Sequence, residues 1–240
     1  MRTIEYGRIA DTVQRLCVES CYELPDDVLE ALKTAGKKET NRLAVKILNQ
    51  LIENARIAAD ERIPLCQDTG LAVVFVEQGA EVVITPPADK PGATLFDAIN
   101  DGVAAGYETG LLRKSVVAEP LKDRKNTNTN TPAVIHHTIV AGDKLSITVM
   151  AKGGGCENKS LFKMFKPTES SQTVAEWIVD VARQAGADAC PPFVVGVGMG
   201  GDFEQCCLIS KKALLRKIDG SNSDSFYAEL ETELLKKINA

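Results

Sequence analysis

A run of six apolar residues, Leu71-Ala72-Val73-Val74-Phe75-Val76, constrains the fold of this chain more than any other feature. Read as a strand, it has no polar face to give to water, so it suits the buried interior of a sheet. The first 60 residues read as a helical layer. A helix is expected over 4–21, with Ile9, Val13, Leu16 and Cys17 on one face. Leu24-Pro25-Asp26-Asp27 breaks it and gives the next helix, 26–35, an acidic start, with Gly36 as its end. A longer helix over 38–59 spaces Leu43, Ile47, Leu51 and Ala55 by four.

Beyond the run, Gln78-Gly79 reads as a turn into a second strand, 80–85, and Pro86, Pro87 and Pro91 stiffen the connector that follows. A helix over 94–108 is loosened at its end by Gly106 and Gly110. Segments 133–140 and 144–151, joined by Ala141-Gly142-Asp143, predict a hairpin. Three glycines follow it, and a helix is expected to start near Glu157. A helix over 172–185 closes at Gly186, a buried strand spans 193–197, and helices over 203–217 and 224–238 complete the chain. With no internal repeat and no flexible linker, residues 1–240 read as a single α/β domain. Its mixed sheet carries helical layers, with N-terminal helices followed by alternating strands and helices.

Several function classes fall away. A net charge of −5 carries no nucleic-acid footprint. No apolar run approaches the roughly 20 residues of a membrane span. The N-terminus lacks a signal core, so the cytoplasm is the expected location. Seven cysteines, an odd number, argue against a disulfide framework, and two histidines are too few for a His-based zinc site. Cys17 and Cys21, four apart on a helix, read as core. Cys206 and Cys207, adjacent on a helix, read as packing residues, and His136 and His137 fall on opposite faces of a strand in structural roles.

Cys66, Cys156 and Cys190 differ, because each stands in a loop shaped by proline or glycine: Pro64 and Gly70, Gly153-Gly154-Gly155, and Pro191-Pro192. Their separations of 90 and 34 residues match no local metal motif, so spacing leaves a shared site and separate buried thiols both open. Three thiolates without a fourth ligand suit a 4Fe–4S cluster with one open iron, a Lewis acid for removing hydroxide from a hydroxy acid. Asp68, two residues after Cys66, is placed to protonate the departing hydroxyl, and the fork of donors on Arg113 suits a carboxylate. Gly196-x-Gly198-x-x-Gly201 matches a dinucleotide fingerprint, but no second strand follows the helix, which argues against that reading.

These segments together resemble the α subunit of the two-subunit iron–sulfur hydro-lyases, the class I fumarase and L-tartrate dehydratase family. The likeness rests on Leu65-Cys66-Gln67-Asp68-Thr69-Gly70, Leu112-Arg113-Lys114-Ser115-Val116-Val117, Asn130-Thr131-Pro132, Lys152-Gly153-Gly154-Gly155-Cys156-Glu157-Asn158-Lys159-Ser160 and Ala189-Cys190-Pro191-Pro192. Met199-Gly200-Gly201 and Lys211-Lys212-Ala213-Leu214-Leu215-Arg216 extend it. The resemblance implies that Cys66, Cys156 and Cys190 hold the cluster and that Gln67, Asp68 and Arg113 touch a small dicarboxylate, fumarate or malate first and L-tartrate next. It makes Asp68 the proton donor and the three glycines a close backbone approach to the cluster. It also implies an ordered Asn-Thr loop over 126–131, which composition alone reads as a solvated turn.

Single-chain members differ from this sequence in two places. Their middle cysteine stands where this chain has Val149, and a serine stands where it has Cys156. The family's C–H base comes from a β part, so the resemblance implies a separate β subunit and a homodimer or α2β2 heterotetramer. Family α subunits are expected to continue with a glycine-rich segment, whereas this chain stops at Ala240. The competing class is a non-catalytic iron–sulfur protein or sensor homologue.

Overall fold

The computed structural model describes residues 1–240, which divide into two compact units, Met1–Gly154 and Gly155–Ala240. The architecture is mixed α/β, as expected.

In the first unit, the apolar run forms β2 (Leu71–Gly79), the middle strand of a three-stranded sheet. It pairs in parallel with β4 (Val134–Val140) and antiparallel with β5 (Leu145–Lys152). The predicted hairpin is therefore corrected: both strands exist, but β2 lies between them. The cause is local. The connection from β4 to β5 passes over the end of β2, where Gly79 N–H donates to Lys144 O (2.7 Å), Ala80 N–H to Val140 O (2.8 Å) and Glu81 N–H to Gly142 O (3.0 Å). A Cβ at Gly79 would stand 2.2 Å from Gly142 O, so the crossing needs glycine there. Gln78-Gly79 thus ends a strand and is not a hairpin turn. The chain leaves it for β3 (Val82–Thr85), which pairs in parallel with an unforeseen strand, β1 (Arg2–Glu5).

Helices α1 (Tyr6–Tyr22) and α4 (Leu95–Thr109) cover one face of this sheet. Val13, Cys17, Ile99, Val103 and Tyr107 meet Ala72, Val74 and Val76 in a single core. Thr94 starts α4 with a full capping box to Asp97. Gly106 does not loosen α4. It lets α1 approach, since a Cβ there would lie 2.9 Å from both Cys17 Cβ and Gln14 O. Gly102 is tighter still, 2.5 Å from Ala10 O.

Helix α2 (Asp26–Lys38) runs through Gly36 to cap at Glu39, whose N–H donates to Ala35 O. Asn41 delays the start of α3 (Arg42–Glu61) by accepting from Leu43 and Ala44 N–H. On α3 the spacing of four does not give one buried face. Each step of four residues overshoots a turn by roughly 40°, so Ala55 is buried while Leu43 and Ile47 are exposed.

The second unit is built on α6 (Ser171–Ala185) and α8 (Ser225–Ile238), where Ala175, Ile178, Val179 and Leu234 form the core. The strand expected over 193–197 is absent. Instead the segment runs against α7 (Phe203–Ala213), so closely that a Cβ at Gly196 would meet Ser210 O at 2.2 Å and one at Gly198 would meet Cys206 O at 2.1 Å. The glycine fingerprint is thus explained by packing against a helix. Val194 and Val195 are exposed, as is Cys207, so Cys207 is not the packing residue expected. No helix is long and apolar enough to cross a membrane.

Gly102→Ala tests the close approach of α1 and α4. Its helix-propensity gain of about 1 kcal/mol is expected to be outweighed by overpacking of roughly 1–3 kcal/mol, lowering the urea midpoint. A raised midpoint would show that the two helices separate at little cost.

Candidate functional site

The stretch from Cys66 to Gly70 lies between α3 and β2 and is held at both ends by hydrogen bonds, those at Thr69 and Gly70 being buried. Leu65 N–H donates to Cys21 O (2.8 Å), and Asn54 Nδ2 donates to Leu65 O (2.9 Å). Thr69 and Gly70 are buried. Their carbonyls both accept from the Tyr107 hydroxyl, at 2.9 and 3.2 Å. Gly70 takes a φ of +65°, and a Cβ there would stand 2.1 Å from Lys152 O, so no other residue fits between this loop and the end of β5. Between these anchors Cys66 and Gln67 are exposed and Asp68 is half-buried. The Asp68 N–H turns back toward Cys66 Sγ at 3.4 Å. Its carboxylate faces the glycine turn, with Oδ2 3.9 Å from where a Cβ on Gly154 would stand.

Arg113 is brought to this loop through its backbone, whose carbonyl accepts from Thr69 Oγ1 at 3.2 Å. The Asn130 side chain completes the tie. It is fully buried, its Oδ1 accepts from Ser115 and Val116 N–H (2.6 and 3.2 Å), and its Nδ2 donates to Gly70 O (3.1 Å). Asn126 Nδ2 similarly donates to Lys114 O (2.8 Å). The Asn-Thr loop is therefore ordered, and its alternating amides serve the backbone of the Arg113 segment. The first unit thus collects Cys66, Gln67, Asp68 and Arg113 in one loop cluster.

Cys156 and Cys190 stand on two adjoining turns of the second unit. Cys156 is half-buried, in the short helix α5 (Gly154–Glu157). Cys190 is exposed and left-handed, with a φ of +58°, at the end of a 3-10 turn over Gly186–Ala189. Lys159 Nζ donates to Asp188 Oδ2 (2.8 Å), and a Cβ on Gly155 would lie 3.8 Å from Asp188 O, so the turns touch. The Lys159 hydrogen bond and charge hold the Asp188 carboxyl below its ordinary range. Lys211 of α7 donates to Glu157 Oε1 at 2.6 Å, joining α7 to the same region. Sequence reasoning missed Tyr107, Lys159, Asp188 and the Lys211–Glu157 pair, none of which has a local signal.

Within each unit taken alone, no three His, Cys, Asp or Glu side chains gather closely enough to hold a metal ion. Burial nevertheless separates two of the seven cysteines from the other five, of which Cys206 and Cys207 lie side by side on α7. Burial pushes the Cys17 thiol up to about 12 and the Cys21 thiol up to about 11, so both stay protonated and packed in the core. Cys66 and Cys190 are exposed in loops and Cys156 is half-buried in the short helix α5, with the Asp68 N–H directed at Cys66 Sγ. Thiols at such positions outside the core are the donor type that an iron–sulfur cluster takes.

The sequence profile of the family described as fumarate hydratase (Fumerase) matches residues 10–240. A Methanocaldococcus jannaschii protein provisionally named L(+)-tartrate dehydratase subunit alpha is 36% identical over 97% of this chain and 81% of its own length. The L(+)-tartrate dehydratase subunits alpha of Escherichia coli K12 and Shigella sonnei are each 30% identical over 97% of this chain and 75% of theirs.

Two outcomes are expected from this geometry. Asn130→Ala strands two backbone N–H groups and leaves Gly70 O to Tyr107 alone, and is expected to cost roughly 2–4 kcal/mol in chemical denaturation; a loss within about 0.5 kcal/mol would mean that the Arg113 segment is held by other contacts. In metal-free chain at about pH 8, iodoacetamide is expected to modify Cys66 and Cys190 and to spare Cys17 and Cys21 until denaturant is added. Mass mapping of native-state adducts on Cys17 would contradict its burial.

Proposed function

Because the chain belongs to the fumarate hydratase (Fumerase) family, we propose that it serves as the α subunit of a 4Fe–4S-dependent hydro-lyase acting on a small dicarboxylate. The observation that carries this reading is the placing of the cysteines: two are buried and protonated, two lie together on α7, and Cys66, Cys156 and Cys190 stand outside the core beside glycine or proline. In this reading both units form parts of one hydro-lyase α domain.

Cys66, Cys156 and Cys190 are the proposed ligands, and the cluster, when bound, supplies an open iron that draws electrons from the hydroxyl oxygen of the substrate. Arg113 holds a substrate carboxylate through paired N–H donors, and the exposed Gln67 amide hydrogen-bonds the same molecule. Asp68 carries the proton that leaves with the hydroxyl as water, and takes it back in hydration. Its carboxylate faces glycine on the Gly154 side, which leaves room for a substrate against it. The C–H proton goes to a base that we assign to a separate β subunit, so the active unit is an αβ pair or a multiple of it. A cytoplasmic, reducing setting keeps the three thiols available.

The family description points to fumarate and malate as the substrate pair, and the names of the relatives point to L(+)-tartrate. The test uses the complex reconstituted anaerobically with its β partner and assayed for fumarate hydration and L-tartrate dehydration. Activity on one of the two is expected, and absence of both in a brown, cluster-loaded complex would refute the hydro-lyase reading. In the active complex, Asp68→Asn is expected to lower kcat by about 10²–10⁴ with little change in KM. Cys66→Ser, Cys156→Ser and Cys190→Ser are each expected to lose the absorption near 400 nm together with activity. A fully active Cys156→Ser complex would remove that residue from the ligand set.

A further inference from the structure

Strand β4 is an edge of the three-stranded sheet, since β2 occupies only one of its sides. The Val140 carbonyl accepts from Ala80 N–H on the β2 side. Strand alternation then directs residues 134, 136 and 138 toward β2 as well, and turns the N–H and C=O groups of Ile135, His137 and Ile139 outward. Natural edges are usually guarded by charge, proline or a bulge. β1, in the other sheet, carries Arg2 and Glu5. β4 has no such guard: Ala133-Val134-Ile135-His136-His137-Thr138-Ile139-Val140-Ala141 holds no charged residue and no proline. Ile139 is 67% exposed, and Val134 and Val140 are 38% and 39% exposed.

The stretch is also close to palindromic. About His137 it reads Ile135 against Ile139, Val134 against Val140 and Ala133 against Ala141, and only His136 against Thr138 breaks the match. A two-fold interface requires that the same strand be its own complement, with residue 137+n facing residue 137−n of the copy.

We propose that β4 pairs antiparallel with β4 of a second copy of this chain, with the two-fold axis at His137. All three outward-facing residues then fall in hydrogen-bonded register, Ile135 with Ile139, His137 with His137 and Ile139 with Ile135. That register supplies about six backbone hydrogen bonds. The two three-stranded sheets become one of six strands. On the face where His137 meets the Phe96 ring at 5.7 Å, Ile139 of each copy covers Ile135 of the other. Valine meets valine on the opposite face. The pairing uses none of the residues assigned to catalysis and stands independently of the hydro-lyase reading.

The test uses the full 240-residue chain, 25.9 kDa as a monomer, in sedimentation equilibrium and light scattering from about 1 µM to 1 mM. A dimer of twice that mass is expected. Ile139→Pro removes an outward donor and leaves the bonds to β2 in place, and Ile139→Lys sets a charge against the isoleucine of the copy. Each is expected to weaken the dimer by at least about tenfold, while Leu43→Lys, on the exposed side of α3, leaves it unchanged. In the wild type, the amides of Ile135, His137 and Ile139 are expected to be protected from hydrogen exchange in the dimer and to lose that protection on dilution, a readout that needs no variant. A monomer throughout, a dimer whose β4 amides exchange freely, or dimers of both Ile139 variants as tight as the wild type would each overturn the proposal. Protection that appears only when a β partner is added would overturn it as well.

Discussion

The Asn130 side chain is the constraint on which the first unit's candidate site depends. It has no solvent exposure and engages three backbone groups from two segments far apart in sequence. A buried amide is costly unless its groups are paired, so it fixes both segments together or neither. Through Gly70 it sets the end of the loop that carries Cys66, Gln67 and Asp68. Through Ser115 and Val116 it sets the segment that carries Arg113. Tyr107 adds a second buried grip from the helix layer, on the Thr69 and Gly70 carbonyls, and its hydroxyl is kept protonated by burial. The polar residues named for chemistry are thereby presented by a frame whose own hydrogen bonds lie in the interior.

That frame exists because β2 has apolar residues on both faces and a partner on each edge. Its position was legible from composition alone, since six consecutive apolar residues admit few other placements. The pairing was not legible. Two strands joined by a short turn normally pair with each other, and the exception here turns on Gly79, whose missing side chain opens the path over β2. The lost strand over 193–197 has a similar origin. Phe193 to Val197 has strand composition, but Gly196 and Gly198 press it against the backbone of α7, and no ladder forms. On α3, four-residue spacing overstated the buried face because the helical period is 3.6. The two strand errors concern contacts with segments elsewhere in the chain, which composition does not report, whereas the α3 error is one of period.

The candidate site divides along the same line. Cys17 and Cys21 were recognisable as core from helical spacing, and their burial bears that out. The loop positions of Cys66, Cys156 and Cys190 were recognisable from flanking glycine and proline, and all three stand outside the core. Spacing left open whether they act together, and only resemblance to a family supplied that idea. The order of the Asn-Thr loop likewise came from resemblance, because an alternation of Asn and Thr looks the same whether its amides bond to water or to a buried backbone. The ion pairs Lys159–Asp188 and Lys211–Glu157 leave no trace in sequence, since charged residues at those positions are as common on a solvated face.

The two loop systems are also held by forces of different strength, and this bears on the chemistry proposed for them. The Asp68 loop is fixed by buried amide and hydroxyl hydrogen bonds and by a glycine that no side chain can replace. The turns of Cys156 and Cys190 are joined partly by Lys159–Asp188, whose carboxylate is largely exposed, a kind of pair that contributes little and weakens with salt. Such an allocation suits the roles assigned. A proton donor must be positioned before substrate arrives, because its distance to the leaving oxygen sets the rate. Thiolate ligands need less prior order, since the energy of metal–sulfur bonds can itself set the turns that bear them. Rigidity is therefore concentrated in the loops of Asp68 and Arg113, which also carry the proposed ligand Cys66, and relaxed at Cys156 and Cys190, whose turns a bound metal could help to set.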